Sequence, residues 1–498
     1  MKAISAIFIA TTLITASPAP QRPVASPSQK PAAAKPAARP AESAAQHAAL
    51  GWVDAHADQL KQVNRDIWGY AEISLQEVKS SRALMDLLRA NGFAVEAGVA
   101  GMPTAFVATY GSGRPIIGIL AEYDALPGLS QQAVPERKER EGVASGHGCG
   151  HSMFGTASTG AAIAVKQAIE SGQIKGTVRL YGTPAEETGI GKTYMLREGL
   201  FKDADVILAW HPADRTSASF SSSKANVSVK FAFKGLAAHA SVSPHEGRSA
   251  LKAVELMEAG VNAMREHIRE DARIHSVITN GGGQPNVVPP DAEIWYYIRA
   301  NTHSDVEQYF EWVKDIARGA ALMTHTTLAA ITVDADMHQV LPNRALSEVI
   351  QQNLELVGPP SFTDEERAFA RKLQEPLGRP QPMALSDRVD PMPAQPTQGL
   401  ASTDVGDISW FVPVGQLGTA TFAFGSPGHS WQNVACGGMS IGEKGMLAAA
   451  RALAATAVDL YEHPAQIERA KADFKSVRDP LTFLTLIPEG QKAPKTMR

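Results

Sequence analysis

Gly146-His147-Gly148-Cys149-Gly150-His151 places two imidazoles and a thiol within six residues, with three glycines keeping the backbone open around them. Thiolate and neutral imidazole are preferred donors for zinc-like divalent ions, and alternation along an extended loop lets Cys149 and His151 point at one centre. More groups of the same chemistry follow short apolar runs: Glu122-Tyr123-Asp124 after 116–120, Glu186-Glu187 after 177–181, His211 after 206–210 and His429 after 419–424. If those runs are strands, every candidate group stands at a strand's C-terminal end, the edge of an open α/β sheet where binding crevices form.

Cys149, His151, Glu187, His211 and His429 are more donors than one tetrahedral ion takes, which points to two divalent metal ions, zinc or manganese, sharing Cys149. Adjacent side chains on extended backbone diverge, so Glu187 is read as coordinating. Glu186 is then the general base that takes a proton from metal-activated water and later returns it to the leaving amine. Asp124 is read as orienting a ligand imidazole through its other ring nitrogen. A rival pattern, Gly438-Met439-Ser440-Ile441-Gly442, matches the nucleophile elbow of serine hydrolases. That elbow needs a buried strand before it, and 431–437 is polar and Gly-containing; Ser440 with Glu443 reads instead as a capping box opening a helix.

Positioning such groups takes a large core, and 498 residues with 44% hydrophobic and 20% charged supply one, in more than one domain. A net charge of −4 with no basic run in the globular part argues against nucleic acid and for small-molecule chemistry. Both cysteines, Cys149 and Cys436, are read as unbridged. Residues 1–16 form an apolar run after Met1-Lys2 and read as a secretory signal peptide, and 17–46 reads as a Pro/Ala-rich linker. This implies an exported, periplasmic enzyme with no membrane span in the mature chain. Residues 47–222 and 335–470 carry alternating strand and helix patterns, an α/β catalytic domain with a mostly parallel sheet and helices on both faces. Between them, 223–334 changes texture to an α+β insert, with strand patterns at 226–233, 293–299 and 328–333 and helical ones at 248–268 and 305–323. Residues 471–498 are left as a C-terminal tail. The segment 358–399 mixes a charged helix with Pro-rich sequence that could lie over the site.

With these residues assembled, the chain resembles the M20 family of metallopeptidases and amidohydrolases, in the branch carrying His-x-Cys-Gly-His, from about 50 to 461. It is most similar to the p-aminobenzoyl-glutamate hydrolase type, in its B-subunit form, through Ala121-Glu122-Tyr123-Asp124-Ala125-Leu126-Pro127-Gly128, Gly182-Thr183-Pro184-Ala185-Glu186-Glu187, Trp210-His211-Pro212 and Gly428-His429-Ser430-Trp431. The resemblance implies the same five metal ligands and Glu186 as base. It also implies that the insert is a ferredoxin-like dimerisation domain of a homodimer, with a related second subunit as a further partner. Within the insert, His239 matches a histidine that reaches a partner subunit's active site, Asn286 an asparagine that binds the substrate's carbonyl or carboxylate, and Arg299 an arginine for the substrate's carboxylate. Glu122 stands where the superfamily often carries a ligating histidine; His151 is read as taking that place and Glu122 as support. The expected activity is hydrolysis of the amide of an N-acyl or N-aroyl amino acid, with aminoacylase or dipeptidase chemistry at the same site as the alternative. A non-catalytic metal-binding relative is the alternative of another class, disfavoured by the presence of Glu186.

Overall fold

Short apolar runs closed off by glycine, proline or charge become strands in this chain, and the amphipathic stretches between them become helices. In the computed structural model, which describes residues 41–496, the strands are β1 (Ala94–Ala97), β2 (Phe106–Gly111), β3 (Ile116–Ala121), β4 (Thr177–Gly182), β5 (Val206–Ala213), β6 (Ser217–Ser219), β7 (Ala225–Lys234), β8 (Arg273–Asn280), β9 (Asp291–Ala300), β10 (Thr327–Met337) and β11 (Val414–Ala420). The signal-like run 1–16 and most of the segment 17–46 lie outside the described residues. The linker reading stops short of 46: Ala44–Ala55 is a helix whose capping box pairs Ser43 with Gln46. Among the described residues no helix is long and apolar enough to cross a membrane.

Seven strands form one sheet in the order β1-β2-β4-β3-β5-β11-β6. Its centre, β4-β3-β5-β11, is parallel, and the pairs that flank it are antiparallel. The runs at 116–120, 177–181 and 206–210 are β3, β4 and β5. The fourth is displaced: the strand is Val414–Ala420, and 421–424 lie beyond its end. Gly415 and Gly418 hide it in the sequence, yet the sheet needs small residues there; a Cβ at Gly415 would sit 2.8 Å from Ile350 Cδ1. The helices His151–Glu170 and Ser440–Glu462 pack on each other and on the central strands.

The capping box expected at Ser440 does not form. Met439 is the N-cap, Ser440 donates to Glu366 Oε1 at 2.6 Å, and Glu443 turns away to Arg65 Nε at 2.6 Å. Ser440 is thus the first residue of a packed helix, with its hydroxyl committed to a carboxylate.

Between β6 and β11 the chain builds a second sheet, β8-β9-β7-β10, antiparallel throughout. The helices Ala250–Met264 and His303–Thr324 complete a βαββαβ ferredoxin-like unit. Its edge strand β8 left no alternation to read, because nearly all of its residues are exposed.

Two segments acquire roles the sequence did not show. Past residue 471, Phe483 stacks on His338 at 4.1 Å, Leu486 N donates to Asp336 at 2.6 Å, and Gln491 Nε2 donates to Val333 O at 2.7 Å and Tyr194 Oη at 2.9 Å. That segment therefore ties the end of β10 to the helix Gly191–Arg197. Within 358–399, a Thr363/Glu366 capping box opens the helix Asp364–Gln374, whose Gln374 Nε2 donates to Phe424 O at 2.8 Å. This supports the backbone that leads to His429.

Candidate metal centre

Strand ends converge where the order of the sheet places them. Ligand atoms of Cys149, His151 and His211 lie within 4.8 Å of one another, and so do those of Cys149, Glu187 and His429. All five expected donors are brought together, and Cys149 belongs to both sets. His211 is carried on β5 itself, and His151 is the first residue of its helix. Glu186 and Glu187 open a single turn of 3-10 helix just past β4.

The loops are held by close approach and by strain. A Cβ on Gly148 would lie 2.6 Å from Leu129 Cδ1 and 3.2 Å from His429 Cα, so only glycine lets the Cys149 loop pass the His429 loop. Ala185 (φ 57°) and His429 (φ 52°) adopt left-handed backbone without being glycine. Such conformations persist only where the surroundings enforce them. At Ala185 the enforcing group is Glu77, whose Oε1 accepts the Ala185 N–H at 2.9 Å. Near His429, Asn433 Nδ2 donates to Gly148 O and Pro427 O, both at 3.1 Å, joining the two ligand loops.

Asp124 contacts one of the expected donors. Oδ1 lies 2.9 Å from His151 Nδ1, which leaves Nε2 of that imidazole free; Oδ2 accepts from Ser74 Oγ at 2.9 Å and from Glu187 N at 3.0 Å. One buried carboxylate thus orients an imidazole and the backbone of a second donor. His147, the other imidazole of the opening motif, is buried against Ile67 O at 3.1 Å and stands apart from both donor sets.

Close packing of the site desolvates these groups, His211 included although that residue keeps exposed surface. It pushes Glu122 up to about 7, Lys192 opposing and Glu186 adding. It lifts Glu187 well above the carboxylate range against the pull of His151, and it raises the Cys149 thiol, Glu187 adding to the effect. His211 falls to about 4 through desolvation and the neighbouring His151. His151 moves the other way: burial resists its charge, but Asp124, Cys149 and Glu122 together raise it well above its usual value. Carboxylates exceed cations here, and His151 Nε2, Glu122 Oε2 and Glu187 Oε1 are buried without hydrogen-bond partners. Thiolate, imidazole and carboxylate donors with unfilled buried lone pairs fit divalent ions.

Lys192 and Asp404 went unread in the sequence. Lys192 is fully buried, its Nζ 2.7 Å from Glu122 Oε1 and 2.6 Å from Asp404 Oδ1. Burial works against its charge, and the two carboxylates outweigh that. The available signal was a lysine amid the small and apolar residues 189–196.

The insert residues are placed differently. His239 and Asn286 are exposed at one end of the second sheet, outside both donor sets, and are neighbours there: His239 bridges to Val287, and Ala240 N donates to Asn286 O at 2.9 Å. His239 Nδ1 accepts the N–H groups of Ser241 at 3.3 Å and Val242 at 3.2 Å, so the ring carries its proton on Nε2. Arg299, on β9, is half-buried over the Tyr297 ring with its Nε unpartnered; burial lowers its pKa against the pull of Tyr297 and Glu186, and its charge adds to the lowering of His429.

Two donor sets joined by one thiol, with a further carboxylate beside them at the edge of an α/β sheet, are the signature of a metal-dependent hydrolase. The model described as Peptidase family M20/M25/M40 matches residues 118–329. The chain is 41% identical to the B subunit of Escherichia coli p-aminobenzoyl-glutamate hydrolase, over 88% of this chain and 96% of that protein. It is 28% identical to Xaa-Arg dipeptidase of Mus musculus over 85% and 90% of the two chains. In fold it is similar to a dinuclear metal-binding M20 peptidase from Bacillus subtilis, with a TM-score of 0.53 and 18% identity over 82% of this chain and 99% of that one. The chain belongs to the M20 family and is a metal-dependent amidohydrolase.

Proposed function

We propose that this chain hydrolyses the amide of an N-acyl or N-aroyl amino acid with a free carboxylate, p-aminobenzoyl-glutamate being the representative substrate. The observation that carries the mechanism is Cys149 shared between two donor sets, with Glu186 on the turn that presents Glu187. The substrate class rests on the 41% identity to the B subunit of p-aminobenzoyl-glutamate hydrolase.

Cys149, His151, Glu187, His211 and His429 would hold two divalent ions, zinc or manganese. Bound there, such ions make water acidic near neutral pH and polarise a carbonyl. Glu186 takes the water's proton and returns it to the nitrogen of the leaving amine. Asp124 keeps the His151 ring turned with Nε2 toward the site. Arg299 offers a guanidinium fork to the substrate's carboxylate. His239 and Asn286 serve a second copy's site, with His239 Nε2–H aimed at the developing oxyanion. Leu236, Val242 and Val287 are exposed beside them, as a surface covered by another copy would be. The Escherichia coli relative is one of two related hydrolase subunits that this chain matches, so a related second subunit is a further partner to seek.

The test is p-aminobenzoate release from p-aminobenzoyl-glutamate by the purified chain, before and after chelation and metal restoration. Glu186→Gln should keep its metal and lose about 10²- to 10⁴-fold in kcat; unchanged turnover would remove Glu186 as the base. No release by metal-loaded enzyme, with hydrolysis in a panel of dipeptides, would move the substrate class toward that of the dipeptidase relative.

A further inference from the structure

Below the five donors lies a buried chain of charge that the mechanism above leaves unused. Glu122, Lys192 and Asp404 are 2%, 0% and 0% exposed. Lys192 Nζ bridges Glu122 Oε1 at 2.7 Å and Asp404 Oδ1 at 2.6 Å, and Lys192 N donates to Asp404 Oδ2 at 2.9 Å. Asp404 thus fixes the lysine, and the lysine fixes one oxygen of Glu122. The other oxygen, Oε2, has no hydrogen-bond partner and lies 3.2 Å from His151 Nε2, itself without one. Ligand atoms of Glu122, His151 and Glu186 all fall within 4.8 Å of one another.

One ammonium is shared by two carboxyl groups here, and of the two oxygens of Glu122 it contacts only Oε1. A buried carboxyl oxygen left without a partner, as Glu122 Oε2 is, calls for one. With Nδ1 of His151 committed to Asp124, Nε2 is the ring atom that faces Glu122 Oε2, and imidazole nitrogen beside carboxylate oxygen at this spacing suits two donors to one ion. A cation placed between the two unpartnered atoms satisfies both.

We propose that Glu122 is a sixth donor, directed at the ion that His151 would hold, and that Lys192 and Asp404 are positioning residues that keep its Oε2 turned toward that ion. This rests on the two-ion reading of the Cys149 site. It revises the sequence reading of Glu122 as support, and it gives Lys192 a purpose: by occupying Oε1, it makes Glu122 a one-oxygen ligand with a fixed direction.

The experiment uses the purified full chain, titrated with Zn²⁺ against a competing chelator and, separately, with Co²⁺ followed by absorption. Wild-type chain should take up two ions. Glu122→Gln, close to isosteric, should weaken one of them by at least ten- to a hundredfold and alter the cobalt d–d bands, leaving the thiolate-to-cobalt band from Cys149 in place. Lys192→Met should weaken the same ion by about 10- to 100-fold, and Glu122→Gln/Lys192→Met should be no weaker than Glu122→Gln alone, because the lysine acts through Glu122. Should Lys192→Met fail to fold, Asp404→Asn carries the same comparison. Two ions bound by Glu122→Gln with wild-type affinities and an unchanged cobalt spectrum would overturn this inference alone. Fewer than two ions in the wild type would overturn the two-ion reading beneath it.

Discussion

At the edge of the seven-stranded sheet, Cys149, His151, Glu187, His211 and His429 stand within reach of one another in a single chain, oriented by Asp124, Glu77 and Asn433. At the end of the four-stranded sheet, His239 and Asn286 are just as definitely placed, yet they face solvent beside exposed Leu236, Val242 and Val287. The first region turns its donors inward on one another, with buried lone pairs suited to cations. The second satisfies its backbone and leaves its side chains outward, as the proposed service to a second copy's site would require. On the proposed reading preorganisation is divided: metal chemistry is built into one copy, and the donor for the oxyanion is left to assembly.

Removing the shared thiol is the sharpest way to break the first region. Cys149→Ala should lose both ions, read by metal analysis after gel filtration, and turnover with them; retention of two ions would show that the donor sets are separate. On the other side, His239→Ala should keep both ions and lose about 10²- to 10³-fold in kcat, as loss of an oxyanion donor does. Mixing it with Cys149→Ala after dissociation and reassembly should recover part of the activity, since one hybrid site then has an intact metal set and an intact His239. No recovery on mixing would place His239 in its own chain's reaction. A milder change tests how the ligand loops are joined: Asn433→Ala should lower metal affinity by about 10-fold without altering the overall fold, measured by chelator competition and circular dichroism.

The smallest expected effect lies between the two regions. His303 is 2.8 Å from Asp336, which raises its pKa against the effect of burial. A histidine whose folded pKa is raised contributes stability that is fully present below about pH 6.5, the unfolded value, and is lost as pH rises through the folded one. Urea denaturation across that window should show this decline in the wild type and a flatter profile in His303→Gln.

Glu187, His211 and His429 were legible because they lie at or beyond strand ends that the sheet's parallel centre makes neighbours, and Cys149 and His151 because they crowd one short motif. Glu77, Lys192, Asp404 and Asn433 were not, since each has its partner far along the chain, from Glu77 with Ala185 to Lys192 with Asp404. A buried ion pair leaves no periodicity; only the fold puts its members together. Strand β11 was misplaced because packing demanded glycine where pattern reading looks for bulk, and β8 was missed because an exposed edge needs no alternation. His239, Asn286 and Arg299 carried meaning only through family resemblance, as their chemistry is ordinary until another molecule is set against it.

The donors' spread along the chain bears on synthesis. Cys149 leaves the ribosome early, whereas His429 and the strand β11 that pairs with β5 follow only after more than half the chain's length again. Until then the thiol lacks the loop that closes over Gly148, and the insert can complete its own sheet first. A nascent chain stalled after residue 400 should thus carry a folded insert and a Cys149 still open to alkylating reagents, with metal loading among the last events of its maturation.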